Sequence, residues 1–363
     1  PDGVDIETWQ NYDASHSSNP TETWMDRLAL RDIEQENYLN GKTYDWFDAV
    51  TSPGLRQNYD INISDGTGKT KYFWSLAYTD NKGYLLGDEY KTFRTRVNAD
   101  TKISDWLTVG INAHFANRDN SAVPVSLWNA TAQSPLGNPY DENGELKWYP
   151  HDDSGMEVNP FLNHYNRDNF NLFNDLFGTL YTDIKLPLGF SFKTSFVNRL
   201  QWEKDYYYIP TSMPQGDRVG GMGERRDFSL YEWQLDNILS WKKTLGIHDF
   251  FATFLYNAEK RQSWEGVASN QDFPISEALS YHQLNAGSSP TINNDDTYST
   301  GTALMARLNY TLMNKYLITL SIRRDGYSAF GISNPYAIFP SGAFAWNISE
   351  ESFFKVNWID WNY

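Results

Sequence analysis

Hydrophobic and polar residues alternate over long stretches of the chain from Leu55 onward, most clearly in residues 93–103. One face of this segment carries Phe93, Thr95, Val97, Ala99, Thr101 and Ile103. The other carries Arg94, Arg96, Asn98, Asp100 and Lys102. A period of two predicts a β-strand with one apolar and one wet face. Because Arg or Lys facing lipid would cost about 2–4 kcal/mol each, the charged face must point to water or protein.

The same alternation recurs in about ten segments, which we predict to be strands joined in antiparallel pairs. Short turns are predicted at residues 65–68, 104–105, 187–189, 244–249 and 314–315. Longer connections rich in Gly, Pro, Asn, Asp and Ser are predicted at 117–171, 201–229, 260–300 and 324–335. The last strand pair is predicted at 339–346 and 353–361. Short turns at one end and long loops at the other are typical of an outer-membrane barrel, whereas a soluble sandwich keeps most connections short.

Aromatic residues recur beside the predicted short turns: Trp106, Phe190, Trp241, Tyr316 and Trp346. This position suits a girdle of aromatic side chains at a membrane–water interface. Residues 1–50 differ from the rest, because a Ser-, Asn- and Thr-rich stretch precedes a weak helical pattern over residues 21–38, with Thr21 or Thr23 as its N-cap.

Composition agrees with strands and excludes several function classes. Aromatics make up 16% of the 363 residues, yet the mean hydropathy is −0.62 and no apolar run approaches the ~18 residues of a membrane helix. A carbohydrate-binding soluble β-protein would share this composition. The net charge of −16 argues against a nucleic-acid partner, since phosphate contacts need clustered Lys and Arg. Without Cys, disulfides and thiolate chemistry are excluded.

Two groups of residues are candidates for substrate binding. Charged residues expected to point into a barrel lumen are Arg94, Arg96, His114, Arg307 and Arg323. They would contact substrate or a plug, or simply make the lumen polar through ion pairs to Asp100, Asp236 or Glu232. Aromatics in the predicted long loops are Trp128, Trp148, Tyr149, Tyr206, Tyr207, Tyr208 and Trp264. These would stack on sugar rings, or pack within the loops or against a lid protein.

No residue pattern predicts catalysis or a resident cofactor. Residues 141–145 and 293–296 are rich in oxygen ligands and would suit a structural Ca²⁺, although Asn-Gly and Asp-Asp are also ordinary turn sequences. The six His residues are scattered, without the spacing of metal ligands. Neither a Gly-rich phosphate loop nor a nucleophile elbow is present.

An ordered set of short strings resembles the early barrel of the SusC/RagA family of TonB-dependent transporters. In chain order the strings are Asp45-Trp46-Phe47-Asp48-Ala49-Val50, Tyr59-Asp60-Ile61-Asn62-Ile63-Ser64, Tyr78-Thr79-Asp80-Asn81-Lys82-Gly83, Arg307-Leu308-Asn309-Tyr310, Ser321-Ile322-Arg323-Arg324-Asp325-Gly326 and Ala345-Trp346-Asn347-Ile348-Ser349-Glu350-Glu351. The resemblance spans residues 45–363.

The resemblance implies an all-β fold, an antiparallel transmembrane β-barrel of 22 strands with long extracellular loops, of which this chain supplies about ten. It implies a plug-to-barrel linker at residues 1–50 and the N-terminal part of the barrel at residues 51–363. It further implies nutrient import across the outer membrane of Bacteroidetes-type bacteria, a SusD-like surface lipoprotein as lid, TonB as energy source, and an oligosaccharide or peptide as ligand. Neither a leader, a plug nor a TonB box precedes Asp45, so we expect a partial chain.

Two alternatives stay open at the level of sequence. A soluble or surface-anchored β-rich glycan-binding protein or glycosidase would share the aromatic composition, and Asp152-Asp153 would be its candidate carboxylates. Another large barrel of the same ancestry, such as a secretion or adhesion pore, would share the strand pattern.

Overall fold

Eleven strands form one antiparallel sheet in which each strand pairs with the next along the chain. The structure, a computed structural model, describes residues 5–16, 18–274, 277–331 and 333–354. The strands are β1 (Leu55–Gly66), β2 (Thr70–Lys82), β3 (Glu89–Lys102), β4 (Leu107–Asp119), β5 (Asp168–Lys185), β6 (Phe190–Ile209), β7 (Met222–Leu245), β8 (His248–Gln271), β9 (Thr291–Leu312), β10 (Tyr316–Tyr327) and β11 (Tyr336–Trp346). The sheet does not close on itself in the described part of the chain. The prediction of a partial antiparallel barrel is confirmed.

The strand register keeps the two predicted faces separate across the whole sheet. Val97 lies opposite Trp74 and Ala113, whereas its neighbour Arg96 lies opposite Ser75 and His114. Further along, Leu239 lies opposite Phe192 and Phe254 on the same face as Val97. We call this side of the sheet the apolar face and the Arg96 side the polar face. Large side chains of the apolar face are left uncovered, with Leu320 55% and Phe254 48% exposed.

Short turns and long connections alternate as expected, so the sheet has a short-turn end and a long-loop end. At the short-turn end, Gly189 adopts a φ of +86° against the backbone carbonyl of Lys242, where a side chain would clash. Aromatic rings form a row beside these turns, as predicted, with ring centroids 6.1 Å apart for Phe190 and Trp241 and 5.1 Å apart for Phe250 and Tyr310. Strand β11 confirms the first member of the last predicted pair, whereas most of 353–361 lies outside the described residues.

The strands continue well beyond the predicted boundaries at the long-loop end. Tyr206, Tyr207 and Tyr208 lie in β6 and Trp264 lies in β8, so the prediction that these four residues belong to loops is wrong. The composition of these stretches hides the strands. Alternation is visible only where one side of a strand is apolar and the other is polar, and here both sides carry polar or aromatic residues. The connections that remain are 83–88, 120–167, 210–221, 272–290 and 328–335.

Short helices lie before β1 and within the connections. They are α1 (Ile6–His16), α2 (Pro20–Arg27), α3 (Asp32–Leu39), α4 (Trp46–Val50), α5 (Leu127–Ala132), α6 (Leu162–Asn166) and α7 (Pro214–Asp217). The helical pattern of residues 21–38 therefore becomes two helices, and the N-cap of the first is Asn19, whose side chain accepts from Glu22 N–H, not Thr21 or Thr23. None of the described helices has the length and apolar character needed to cross a membrane.

A folded layer covers the long-loop end of β1 to β5. It consists of residues 31–50, 83–88 and 120–167, and we call it the cap. Its core contains buried Trp46, Val50, Val125, Ala130 and Phe161. The indole nitrogen of Trp46 donates to the Ser134 carbonyl (2.9 Å). Residues 31–50 thus lie at the long-loop end, and their predicted role as a plug-to-barrel linker stays a prediction.

Candidate functional site

Charged side chains of the polar face are linked across neighbouring strands. Asp175 on β5 accepts from Arg199 Nε (2.9 Å), and His114 Nε2 lies 3.8 Å from the same carboxylate. Glu232 on β7 lies 3.8 Å from Arg199 Nη1 and accepts from Arg261 Nη1 (2.5 Å). This charge ladder runs from β4 to β8 because the register places each member beside the next.

The charge ladder borders a cavity of about 300 Å³ on the polar face. Phe177, Arg199, Glu232 and Arg261 contribute to its lining. The side chains are partly exposed, with 38% for Arg199 and 55% for Arg261, so each pair adds little to stability. Their effect is to place donors and acceptors side by side along the polar face.

The predicted lumen residues all lie on the polar face, in two separate groups. Arg94, Arg96 and His114 lie on β3 and β4, while Arg307 and Arg323 lie on β9 and β10. The register shows the common face, since Arg96 lies opposite His114 and Arg307 opposite Ser321. Four strands separate the groups, so they do not form one site.

The contacts of these residues differ from the expected ion pairs. Arg94 Nη2 donates to Thr79 Oγ1 (3.1 Å), and Arg323 Nε donates to Asp325 Oδ1 (2.7 Å). Arg96 and Arg307 are exposed and make no ion pair with any described residue.

The three carboxylates expected to pair with the predicted lumen residues have other partners. Asp100 accepts from the Tyr181 hydroxyl, Asp236 from the Asn257 amide, and Glu232 belongs to the charge ladder. These partners depend on the register between neighbouring strands, and the sequence alone does not determine that register.

A second candidate site lies in the cap, where three aromatic residues surround a cavity of about 440 Å³. Trp148 was predicted as a binding residue, and Tyr140 and Tyr165 join it. The indole Nε1 of Trp148 donates to the Ser212 carbonyl (2.6 Å), which fixes the ring against the β6–β7 connection. Tyr165 is 59% exposed and leaves its ring accessible. We call this cavity the aromatic pocket.

Polar groups at the rim of the aromatic pocket are held by turn hydrogen bonds. Asp141 Oδ1 accepts from the backbone N–H groups of Glu145 (2.8 Å) and Asn143 (2.9 Å). The first of these bonds is the largest of the effects that lower the pKa of Asp141 below its ordinary value. Asn166 Nδ2 donates to Ser212 Oγ (3.2 Å). Aromatic faces beside fixed amide, carboxylate and hydroxyl groups can hold a sugar or a peptide without chemistry.

The remaining predicted aromatics lie outside the aromatic pocket. Trp128 lies on α5 and is 75% exposed. Tyr207 stacks under the Arg167 guanidinium, with 4.6 Å between Cζ and the ring centroid. Trp264 lies on the apolar side of β8, in register with Trp202 through Ser229. Their roles in substrate binding stay predictions.

The carboxylates suggested for a glycosidase are engaged in ion pairs. Asp152 accepts from Lys147 Nζ (2.8 Å) and Asp153 from Arg31 Nε (3.0 Å). The Gly155 N–H and then Arg31 lower the pKa of Asp153, whereas a general acid of a glycosidase needs a raised pKa. Within the described residues, His, Asp and Glu nowhere gather in a group of three that could hold a metal ion.

Comparison with known proteins gives relatives along most of the chain. TonB-dependent receptor P26 of Formosa agariphila is 28% identical over 319 residues, which cover 86% of this chain and 32% of the relative. TonB-dependent receptor SusC of Bacteroides thetaiotaomicron is 25% identical over 358 residues, covering 86% of this chain and 33% of SusC. The chain therefore spans about a third of the length of these curated relatives. No protein-family model matches it.

Solved structures share the fold. The RagAB peptide transporter matches with a TM-score of 0.71 and 20% identity, covering 88% of this chain and 37% of that chain. The RagAB peptide importer in its closed-closed state matches with a TM-score of 0.73 and 18% identity, covering 99% of this chain and 41% of that chain. Sequence and fold together confirm the resemblance of this chain to the SusC/RagA-like TonB-dependent transporters.

Proposed function

We propose that this chain forms part of the barrel wall of an outer-membrane importer that takes up nutrients. The observation that carries the proposal is the similarity to TonB-dependent receptors over 86% of the chain. The continuous apolar face supports it, because side chains such as Leu320 and Phe254 are uncovered in the sheet and would be covered by lipid. A soluble glycan-binding protein has no use for such a face.

The proposed importer works with a SusD-like surface lipoprotein as lid and with TonB as energy source. The names of the relatives, a SusC receptor and the RagAB peptide transporter, support this assignment. In this arrangement the polar face lines the lumen, and the long-loop end, which includes the cap, faces the outside of the cell. The protein binds and passes its ligand without altering it.

The ligand is an oligosaccharide or a peptide. The aromatic pocket supports either, because Tyr140, Trp148 and Tyr165 offer ring faces next to hydrogen-bonding groups. The charge ladder and the lumen arginines supply polar contacts further along the path.

Membrane location is tested with the full-length protein in its native cells. We expect the protein in the outer-membrane fraction, released by detergent and retained there after a high-salt wash. Release into the aqueous phase without detergent would contradict the proposal. Deletion of the gene should then abolish growth on a carbon or nitrogen source that the parent strain uses.

The role of the aromatic pocket is tested by Tyr165→Ala in the purified full-length protein. We expect about fivefold weaker binding, since one stacked aromatic contributes on the order of 1 kcal/mol. Binding is measured by calorimetry against a panel of neutral oligosaccharides and a panel of oligopeptides. Tyr38→Ala is the matched control, because Tyr38 is 55% exposed on α3 and does not line the pocket. Equal affinity of both variants would contradict a role for the pocket.

A further inference from the structure

A cleft of about 730 Å³ opens on the apolar side of β6 to β9, near their long-loop ends. The register places Trp202, Ser229, Trp264 and Asp296 in one row across these four strands. The two indoles are 40% and 39% exposed. On β8, two residues beyond Trp264, the surface is indented, because Gly266 has open space where a side chain would begin.

The height of this row matches the outer border of a membrane. Trp241 belongs to the aromatic row at the short-turn end, and Ser229 lies twelve positions further up the same strand. Twelve residues span about 40 Å along a strand, or about 30 Å along the membrane normal at a tilt of ~40°. Lys260 lies four residues below Trp264 on the same side, and its Nζ lies 5.0 Å from the centroid of the Tyr298 ring, so its long side chain can carry the ammonium group towards the border.

Two cations lie beyond the row, towards the long-loop end and on the same side of the sheet. Lys204 is two residues from Trp202, and Arg225 is four residues from Ser229. Lys204 is exposed, and Arg225 lies with its Cζ 4.2 Å from the centroid of the Tyr206 ring. Neither makes an ion pair with any described residue, although Lys204 lies opposite Asp227 in the register. Asp227 itself accepts from the Tyr206 hydroxyl (2.6 Å). Asp227 keeps its negative charge in this bond and balances the two cations in part, yet the N–H groups of Lys204 and Arg225 that make no ion pair can still donate to a phosphate.

The opposite wall of the cleft offers acceptors and apolar surface. Asn294 and Asp296 of β9 line it, and the nearby Ile292 is 81% exposed. Asp296 lies three strands and two residues along the strand from Lys204, roughly 16 Å away, so one ligand can contact the cations and the carboxylate together. Indole faces and a carboxylate suit sugar rings and their hydroxyl groups, while Lys and Arg suit phosphate.

We propose that this cleft binds the phosphorylated sugar headgroup of an outer-leaflet glycolipid. The acyl chains would lie against the apolar face below Trp202 and Trp264, the sugar would contact the indoles and Asp296, and a phosphate would contact Lys204 and Arg225. The inference rests on the membrane location in the proposed function, but it assigns a lipid to the outside of the barrel and is independent of the imported ligand.

The test measures lipid binding to the full-length protein in detergent by native mass spectrometry, with diphosphorylated lipid A and phosphatidylglycerol as probes. We expect the wild-type protein to retain lipid A, and Lys204→Gln/Arg225→Gln to lower its apparent affinity about tenfold. Trp264→Ala should weaken lipid A binding and leave phosphatidylglycerol binding unchanged. The matched control is Lys71→Gln/Lys102→Gln, which removes two exposed cations from the polar face.

Equal retention of lipid A by the cation variant and the control would overturn the proposal, as would wild-type binding of phosphatidylglycerol as tight as that of lipid A. Membrane fractionation of the same protein separates the two hypotheses. A protein found in the outer membrane without selective lipid A binding contradicts only the lipid site, whereas absence from the membrane contradicts the proposed function.

Discussion

Leu239 in the sheet and Trp46 in the cap are held in place by different neighbours. Leu239 is paired on both sides with residues of the adjacent strands, Phe192 and Phe254, and its own side chain is 37% exposed. Trp46 is 5% exposed and packs in a cluster drawn from three stretches of the chain, with Val125 and Phe161 among its neighbours. The sheet is therefore held together by backbone pairing, and its apolar side chains are left for the surroundings to cover. The cap instead depends on a small hydrophobic core of its own.

The largest effect should come from removing the centre of the cap core. Trp46→Ala should cost about 3–5 kcal/mol of local stability and loosen residues 120–167 while the strands stay paired. Hydrogen exchange followed by mass spectrometry measures both regions in one experiment. Phe47→Ala is the control, because Phe47 is 59% exposed. Loss of protection in β6 to β9 as well would show that the cap and the sheet unfold as one unit.

A charge introduced on the apolar face tests whether this face of the sheet contacts lipid. Leu239→Arg should cost about 2–4 kcal/mol in a membrane and lower the amount of assembled protein. Ser240→Arg places the same charge one residue further on, on the polar face, and should be tolerated. Outer-membrane yield of the two variants is the measurement. A similar yield for both would mean that the apolar face does not contact lipid.

Acid should weaken the cap before it weakens the sheet. His151 is 1% exposed, and burial lowers its pKa from the ordinary value of 6.5, although the Glu34 carboxylate 3.9 Å away opposes this. The unfolded loop binds a proton more readily than the folded one, so stability is complete above pH ~6.5 and falls as the pH drops below it, by no more than about 1.4 kcal/mol per pH unit. Protection factors of residues 147–161, which are exchange rates corrected for the intrinsic rate at pH 7 and at pH 5, measure this loss.

Charged groups around His151 also affect its protonation, so the experiment needs a control variant without this histidine. Arg31 disfavours protonation, while Glu34 and Asp152 favour it. His151→Gln removes the titrating group, and its protection factors should change less between the two pH values than those of the wild type. An equal change in the variant would assign the pH dependence to the carboxylates.

The smallest effect is expected in the charge ladder. Arg199→Met leaves Asp175 without its closest partner, yet the arginine is 38% exposed, so the cost should be about 1 kcal/mol or less. Arg96→Met is the control, since Arg96 pairs with no described acid. Denaturant unfolding in detergent compares the two. A cost of several kcal/mol would mean that the ladder is shielded from solvent by parts of the barrel beyond this sheet.

The sequence predicts the sheet well where one side of a strand is apolar. Alternation locates β3 and β4 and their turn because a one-residue slip would exchange the two faces. It fails at residues 201–209 and 260–271, where both sides are polar or aromatic and the period is lost. Tyr206 and Tyr208 there are buried by Phe273 and Tyr281, a contact that no local pattern indicates.

The candidate sites are less accessible to sequence reasoning than the sheet. Trp148 can be chosen as an exposed loop aromatic, but its grouping with Tyr140 and Tyr165 depends on how the cap folds. Likewise, Arg199 becomes part of a ladder only through the register of β5, β6 and β7.

The order of the strands also determines how the chain can assemble. Among the described strands, each pairs only with its neighbours in sequence, so hairpins can form one after another. The entropy cost of closing each connection opposes this step. The connection of residues 120–167 is roughly sixteen times longer than the turn of residues 313–315, which adds about 2 kcal/mol to the closure of β4 on β5. Val125, Ala130 and Phe161 of that connection pack against Trp46 and Val50. This contact shortens the free part of the connection and so lowers the entropy cost of closing the hairpin.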